Sequence, residues 1–360
     1  MSLSETVKLR AFPIQFIETD TGVILKRGCT EFRISGEGAV QTIQRVIAAT
    51  VGREATSREI CEQFSLPNQQ MVGELIEQLV TKRMLVANGN FQPTEEGPES
   101  ELEIFYWHFG ESAHKVTKRL NSRYIAILGV NCISRQLAAS LLASDAINIQ
   151  VIDFPLLRNL RLFDDHGELE TSQWTMALPV VYESWTETLD QTLPDCLIAT
   201  SDFGGQESLR QWNQFCVERN CHFLPVLLQN LVGFIGPLVI PGETACFECL
   251  RARQNAHFND AKLERATEET AFYSQPFIGF HPSMASILGD IAAFELTKFY
   301  SGVLPKPNVG SLLEVNLLST CLTARKVLKV PRCLTCSPLN RKASVQVAKN
   351  TFSAARENGT

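Results

Sequence analysis

Residues 124–153, YIAILGVNCISRQLAASLLASDAINIQVID, pass from an apolar run through a short loop into an amphipathic stretch and back to an apolar run. An apolar segment of five to seven residues followed by helical periodicity is the signature of a strand buried on both faces with a crossover helix on one of them. The pattern continues downstream: DCLIATSDF (195–203) and HFLPVLL (222–228) read as strands, and SLRQWNQFCVERN (208–220) reads as the helix between them. PLLRNLRLF (155–163) is a second helix or a turn. Apolar strands alternating with amphipathic helices predict an α/β domain with a parallel, doubly wound sheet. Near its end MASILGDIAAFELTKFY (284–300) is a helix, and VGSLLEVNLLSTCLTARKVLKV (309–330) reads as two antiparallel strands.

The loop between the first strand and helix places a helix N-terminus where an anion is favoured by unpaired N–H groups and by the helix dipole. Gly129 is its one glycine, so the dinucleotide fingerprint is incomplete, with Asn131 following and Arg135 at the start of the helix. Asp153 ends the next strand, 24 residues after Gly129, a position suited to a ribose hydroxyl, although a strand-end acid also serves as a helix cap. Asn159 and Arg161 can reach phosphate from the same rim, and Asp202 ends a further strand where a carboxylate can hold Mg2+. The other reading of Asn159, Arg161 and Asp202 is polar surface at strand ends. Cys132 lies in the same loop, whereas Cys29, Cys61, Cys196, Cys216, Cys221 and Cys321 fit core positions better than nucleophilic ones.

Two pairs with CxxC spacing occur, Cys246/Cys249 in PGETACFECLRARQNAH and Cys333/Cys336 in PRCLTCSP, with 83 residues between Cys249 and Cys333. A redox pair belongs at a helix N-terminus in a thioredoxin-like unit, which is not the context here, and unrelated buried thiols are the third reading. Two knuckles can instead bring four thiolates to one tetrahedral Zn2+, closing every position, so that the metal is structural.

Upstream, FIETDTG, VILKRG and CTEFRIS (16–35) read as three strands, followed by helices in GEGAVQTIQRVIAATVG, SREICEQFS and QQMVGELIEQLVTKR. Ser57 is the expected cap of the second helix, and Met71, Leu75, Ile76 and Leu79 the apolar face of the third. MLVANGNFQ (84–92) completes a winged-helix arrangement as a hairpin or wing. A DNA reader would want Arg, Lys and Asn on the third helix, which carries Glu74, Glu77 and Gln78. The other use of such a fold is a strand edge beside a helix that accepts an extended peptide, with Lys26, Arg27, Phe32 and Arg33 on the strand side and Glu74, Leu75 and Gln78 on the helix side. FQPTEEGPESE (91–101) reads as a linker, and a helix is expected from about Leu102 to Asn121. The expected division is 1–92 for the winged helix, 93–122 for linker and helix, 123–345 for the α/β domain, and 346–360 for a tail.

The 360 residues are 44% hydrophobic and 20% charged, with net charge −6 and pI near 5.7, which gives no general attraction to nucleic acid or an acidic membrane. No signal peptide and no eighteen-residue apolar run is found, so no membrane partner and a cytoplasmic location are expected. Eleven cysteines in a reducing compartment point to thiols and metal ligands rather than disulfides. His108, His114 and His281 are assigned no role, and ARQNAHFNDAKLERATEETAFYSQ (252–275) is a crossover loop or a solvated helix.

Taken together, ILGVN, VID, RNLRLF, IATSDF, GPLVIPGETACFECL and CLTC resemble, over roughly residues 120–340, the ThiF/MoeB-like adenylating family related to ubiquitin-activating enzymes. GPLVIPGETACFECL resembles most the branch that modifies ribosomally synthesised peptides, which includes the azole-pathway cyclodehydratase partner proteins and the pantocin A biosynthesis enzyme. Residues 15–90 are similar to the PqqD-like winged helix that binds a precursor's leader there. The resemblance implies a Rossmann-like adenylating domain with a structural Zn2+, ATP with Mg2+ as cosubstrate, and a homodimer. It also implies roles: Asp202, Arg161 and Asn159 catalytic, and Gly129, Asn131, Arg135 and Asp153 on the nucleotide. Departures from the family pattern are the single-glycine loop, the displaced arginine in Asn159-Leu160-Arg161, and a missing lysine in DDHGELETSQW (164–174). Lys115, Lys118, Arg119 and Arg123 lie where relatives supply an arginine from the dimer partner.

Two functions are expected from these features. In the first, the leader is captured and ATP activates a Glu or Asp carboxylate of the precursor for intramolecular cyclisation in antibiotic biosynthesis. In the second, the chain is a leader-binding partner without catalysis that delivers the precursor to a separate YcaO cyclodehydratase. A general activator of sulfur carriers is a third class, but it has no use for the N-terminal domain.

Overall fold

The computed structural model describes residues 6–11, 13–51, 53–87, 100–170, 172–174, 180–181, 192–257, 260–305 and 307–338. The chain divides into two compact units, Met1–Lys118 and Arg119–Thr360. In chain order the first contains β1 (Lys8–Ala11), β2 (Gln15–Thr19), β3 (Gly22–Arg27), β4 (Thr30–Ser35), α1 (Ala39–Thr50), β5 (Ala55–Thr56), α2 (Ser57–Cys61), α3 (Leu66–Thr81), β6 (Leu85–Ala87), α4 (Glu101–Trp107) and α5 (Ala113–Asn121), whose last residues cross the boundary.

The three expected strands form an antiparallel meander in the order β2-β3-β4. A second small sheet, β5-β1-β6, is added to it, because Lys8–Ala11 pairs with both later segments. Four residues carry too little alternation to be read as a strand in advance. In α3 the face turned inward is Val72, Ile76 and Leu79, all fully buried, with Leu75 at its margin; Met71, placed on that face from the sequence, is 55% exposed. The cap of α2 lies one residue earlier than expected: the Thr56 hydroxyl accepts from Glu59 N–H at 3.2 Å while the Glu59 carboxylate accepts from Thr56 N–H at 2.7 Å. The single helix expected over 102–121 is two, α4 and α5, interrupted at Gly110 with φ of 82°. Trp107, Leu9, Leu25, Ile43 and Ile60 join the α3 face in the core. The expected wing falls partly, and the expected tail at 346–360 wholly, outside the described residues.

The second unit contains β7 (Ile125–Leu128), α6 (Cys132–Ala143), β8 (Ile149–Ile152), β9 (Val180–Val181), β10 (Cys196–Ser201), α7 (Gln206–Arg219), β11 (His222–Gln229), β12 (Val232–Ile235), α8 (Phe247–Asn255), α9 (Ala261–Thr270), α10 (Pro282–Ser301), β13 (Ser311–Asn316) and β14 (Cys321–Lys326). PLLRNLRLF is two short 3-10 turns, Pro155–Leu157 and Leu160–Leu162. The sheet is mixed, in the order β14-β13-β12-β11-β10-β7-β8-β9: the strands from β11 to β9 are parallel, and β11 to β14 are antiparallel. The antiparallel half begins with a two-residue hairpin in which Asn230 and Leu231 both have positive φ, 50° and 64°. Helix α10 lies close against α6, because a side chain at Gly289 would come within 2.7 Å of Leu137 N. Chain order reverses between β7 and β10, and a sheet of this type opens its ligand crevice at such a point, beyond the strands' carboxyl ends. Gly129 and Asp202 stand at those two ends. No helix among the described residues is long and apolar enough to cross a membrane.

Candidate functional site

Gly129 leaves β7 with φ of 100°, and a Cβ there would lie 2.9 Å from both Thr200 O and Leu157 Cβ. Only glycine fits this approach. Asn131, fully buried, caps α6: its Oδ1 accepts from Ile133 N–H at 3.1 Å and Ser134 N–H at 3.0 Å, while its Nδ2 donates to Thr200 O at 2.9 Å, Thr200 Oγ1 at 2.9 Å and Leu157 O at 3.2 Å. Asn131 N–H donates to Ser134 Oγ at 3.0 Å, and Cys132 N–H to Asp202 Oδ2 at 2.9 Å. The expectation that this terminus offers free donors to an anion is therefore corrected: each N–H from 131 to 134 has an acceptor within the protein, and the Asn131 side chain is spent as a cap.

Asp202 is 1% exposed. Its Oδ2 accepts from Cys132 N–H and from Asn159 Nδ2 at 2.8 Å, whereas Oδ1 is enclosed with no hydrogen-bond partner. Burial raises the carboxyl above its ordinary range, and the bonds from Asn159 and Cys132 oppose that. An enclosed carboxylate oxygen with spare lone pairs fits a bound cation, and a hard oxygen donor at a strand end suits Mg2+. Asn159 ties this corner together: its N–H donates to Val130 O at 2.9 Å and its Oδ1 accepts from Arg161 N–H at 3.0 Å. The Cys132 thiol is pushed up to about 12, first by burial and then by the neighbouring Asp202 charge, so at neutral pH it is no nucleophile.

The remaining expected nucleotide contacts are engaged elsewhere. Asp153, 1% exposed, is held by Arg158, whose Nε lies 2.9 and 3.0 Å from its two oxygens and whose Nη2 reaches the second. Arg158 in turn covers the Phe163 ring at 4.7 Å. Sequence reasoning missed Arg158, although an arginine five residues past a strand-end aspartate is a readable partner. Arg161 donates to Ile278 O at 2.7 Å and Gln275 O at 3.3 Å, and Arg135 to Gln173 O. Gln275 was also missed; its buried amide accepts from Leu160 N–H and donates to Arg158 O, both at 2.9 Å.

A cavity of about 300 Å3 is lined by Asp202, Phe203, Gly204, Gly205, Phe277 and Ile278. The strained Leu231 turn lies on its wall. A neighbouring cavity of about 380 Å3 shares Gln229, Asn230 and Glu268 with it and reaches β12 and α8. The segment read as crossover loop or helix forms α9, and Glu268 on it pairs with the buried Arg251 of α8.

The four spaced cysteines converge. Cys246 stands at the N-cap position of α8 with Cys249 in the first turn, and their sulfurs are 3.8 Å apart; Cys333 lies 3.5 Å from Cys246, and Cys336 3.5 Å from Cys249. All four lie within 4.8 Å of one another. A disulfide would need about 2.05 Å, while a tetrahedral ion with Zn–S of about 2.3 Å sets its sulfurs about 3.8 Å apart. The residues fit Zn2+.

Of the expected peptide contacts in the first unit, β4 stands at an edge of its sheet, with Arg33 exposed and paired to Glu31, and Phe32 half-buried. Lys26 on β3 and Leu75 on α3 are half-buried, and Glu74 and Gln78 are exposed. Arg27 is corrected: it is 4% exposed, donates to Pro13 O at 2.7 Å and lies 4.9 Å over the Trp107 ring, so it belongs to the core.

No protein-family model and no curated protein matches the chain. The fold is that of MccB. E. coli MccB with ATP superposes with TM-score 0.63 at 14% identity, over 91% of this chain and 99% of that one. The microcin C7 biosynthetic enzyme MccB in complex with N-formylated MccA gives 0.63 at 15%, over 92% and 100%. A heterocyclase in complex with substrate and cofactor gives 0.57 at 18%, over 92% of this chain but 40% of that one.

Proposed function

We propose that the chain acts in the biosynthesis of a ribosomally made, modified peptide, as an ATP-dependent enzyme that activates a Glu or Asp carboxylate of the precursor for intramolecular cyclisation. The first unit, as a PqqD-like winged helix over residues 1–92, takes the leader as an added strand at the β4 edge, with Phe32, Arg33, Leu75 and Gln78 in contact. The second, over 123–345, binds ATP with Mg2+ at the crevice beyond β7 and β10. Its support is the fold shared with MccB, of which structures hold ATP and N-formylated MccA, and with a heterocyclase that holds substrate and cofactor.

The observation that carries the catalytic reading is the unpartnered Oδ1 of Asp202 beside the 300 Å3 cavity. Asp202 would take Mg2+ through that oxygen, with Asn159 holding the other. Asp153 would receive the ribose once Arg158 lets go, and Arg161 would orient the phosphates from the same rim. Bound ATP would supply the leaving group that a carboxylate lacks. The cysteine quartet would hold a structural Zn2+ with no open position. A homodimer is part of the proposal, with Lys115, Lys118, Arg119 and Arg123 in the stretch where relatives offer an arginine across it; Arg119 donates to Ser301 O at 2.9 Å and Arg123 pairs with Asp195 at 3.0 Å within the chain.

A second reading is favoured by a specific observation: the loop N–H groups and Asp153 are already satisfied within the protein. In it the chain delivers the leader to a YcaO partner and the crevice is structural. Incubating the full chain with precursor peptide and Mg-ATP separates the two. Release of AMP, ADP or phosphate with a changed peptide mass supports catalysis; bound peptide of unchanged mass with intact ATP leaves the delivery role.

A further inference from the structure

The cavity of about 380 Å3 next to the Asp202 cavity is not used by the proposed nucleotide site, yet its walls follow from strand register and helix spacing. Across the β11–β12 hairpin Leu227 pairs with Phe234 and Gln229 with Val232, and Leu312 lies two residues from Glu314, the partner of Phe234 on β13. Side chains alternate along a strand, so these share one face of the sheet. The opposite face is covered by α10, because a Cβ on Gly233 would meet the Leu288 side chain. On α8, Phe247 is followed at three, four and seven residues by Leu250, Arg251 and Gln254, which form one helical stripe and line the same cavity.

The lining decides the occupant. Leu227, Phe247, Leu250 and Leu312 are buried, and Val232 and Phe234 are half-buried, so apolar walls are left uncovered beside the crevice. The guanidinium in the lining is already committed. Arg251, 4% exposed, donates through Nη1 to Gln254 Oε1 at 2.9 Å and through Nη2 to Glu268, and its Nε is enclosed. Half-buried Glu264 adds a second carboxylate to that of Glu268, so an anionic side chain is repelled. A cationic one would find Glu264 alone as partner, partly in solvent and near Arg251, which is a weak attraction. A volume near the lower end of the roughly 300–1,000 Å3 range of ligand pockets holds one large side chain rather than a folded partner.

We propose that this chamber is a specificity pocket for an aromatic side chain of the precursor peptide, seated beside the residue whose carboxylate enters the Asp202 cavity. The two cavities share Gln229, Asn230 and Glu268, so an extended chain lying in one borders the other. A ring placed there is buried against Leu227 and Leu312 and meets the rings of Phe234 and Phe247, whose edges and faces favour an aromatic over an aliphatic occupant. The pocket deepens the proposed function and rests on it for the identity of the peptide; filling it requires no nucleotide.

The test uses the full chain without nucleotide and, as probe, the N-acetyl amide of para-fluorophenylalanine followed by fluorine NMR. Its signal is expected to broaden saturably and to recover with excess N-acetyl-phenylalanine amide. The same excess of the N-acetyl amides of lysine or glutamate should leave it broadened. Val232→Trp, which fills the chamber from its half-buried wall, should abolish the broadening. Leu322→Trp, at a 58% exposed position on the opposite face of the sheet, should leave it unchanged. Should the added bulk at Val232 disturb folding, Phe234→Ala removes one ring contact instead and should weaken binding roughly three- to tenfold. No broadening, displacement by the lysine or glutamate amide as readily as by the phenylalanine one, or a Val232→Trp chain that binds as the parent does would overturn the proposal. Because ATP is absent, a chain that binds the probe but releases no AMP from Mg-ATP and precursor loses the catalytic reading and keeps the pocket, so the two failures are distinct.

Discussion

A carboxylate as enclosed as that of Asp202 is costly to ionise, and the direction of its titration follows. The unfolded chain releases this proton near the ordinary value of about 3.9, whereas the folded state holds it to higher pH. Between the two values the native state binds the extra proton, so this group's contribution to stability falls as pH rises through that window and stays at its lowest above the folded value. Without divalent cation at neutral pH, Asp202→Asn should therefore melt no lower than the parent and show a flatter pH dependence. Added Mg2+ should raise the parent's melting temperature and leave the variant's unchanged, which thermal scans at several Mg2+ concentrations measure. Arg158 is the opposite case. Its loss leaves Asp153 charged and unpaired at 1% exposure, and Arg158→Leu should cost about 3–5 kcal/mol in urea unfolding. Gly129→Ala, forced to φ of 100° with its Cβ 2.9 Å from Thr200 O, should cost on the order of 1–3 kcal/mol by the same measurement. These residues also mark what the sequence can carry at this scale. An asparagine after a glycine at a helix start serves either as a cap or as a ligand contact; Asn131 is a cap because Thr200, 69 residues away, lies within reach of its amide. That distance is tertiary and leaves no local trace.

At the level of elements, the parallel half of the second sheet was legible because strands buried on both faces read as unbroken apolar runs and their helices as amphipathic ones. The β12 strand was not, since four residues after a hairpin turn at Asn230 and Leu231 merge with the apolar run before them. Nor was β1, whose pairing with β5 and β6 joins segments more than forty residues apart. The paired CxxC motifs were legible for another reason, since two residues of spacing fix the local knuckle whatever lies between. If the quartet holds Zn2+, the purified chain should contain one zinc per molecule. Cys333→Ser or a strong chelator should lower the melting temperature of the second unit, with β13 and β14 losing hydrogen-exchange protection before β7 and β10 do. In the first unit two arginines of the β3–β4 hairpin separate by role, Arg27 at the end of β3 and Arg33 within β4. Arg27→Ala should cost about 1–3 kcal/mol through the lost Trp107 and Pro13 contacts, whereas Arg33→Ala should stay within about 0.5 kcal/mol and weaken binding of the leader.

For the molecule as a whole, a net charge of −6 gives no general attraction to polyanions or acidic bilayers, and no helix among the described residues is long and apolar enough to cross a membrane. The chain shares its fold with MccB; its first unit has β4 at a sheet edge, and its second a mixed sheet with Asp202 at the end of β10. The proposed function assigns peptide capture and nucleotide chemistry to different units, so substitutions should separate them: changes at β4 should weaken leader binding with Mg-ATP binding intact, and changes at Asp202 the reverse. In the proposed function the crevice beyond β7 and β10 takes Mg-ATP although its loop donors are satisfied at rest. Titration calorimetry of Mg-ATP into the full chain and into Asp202→Asn tests it most directly. Saturable binding of one nucleotide per chain that disappears in the variant is expected; no binding to the parent chain, or equal binding to both, would contradict an Asp202-dependent nucleotide site.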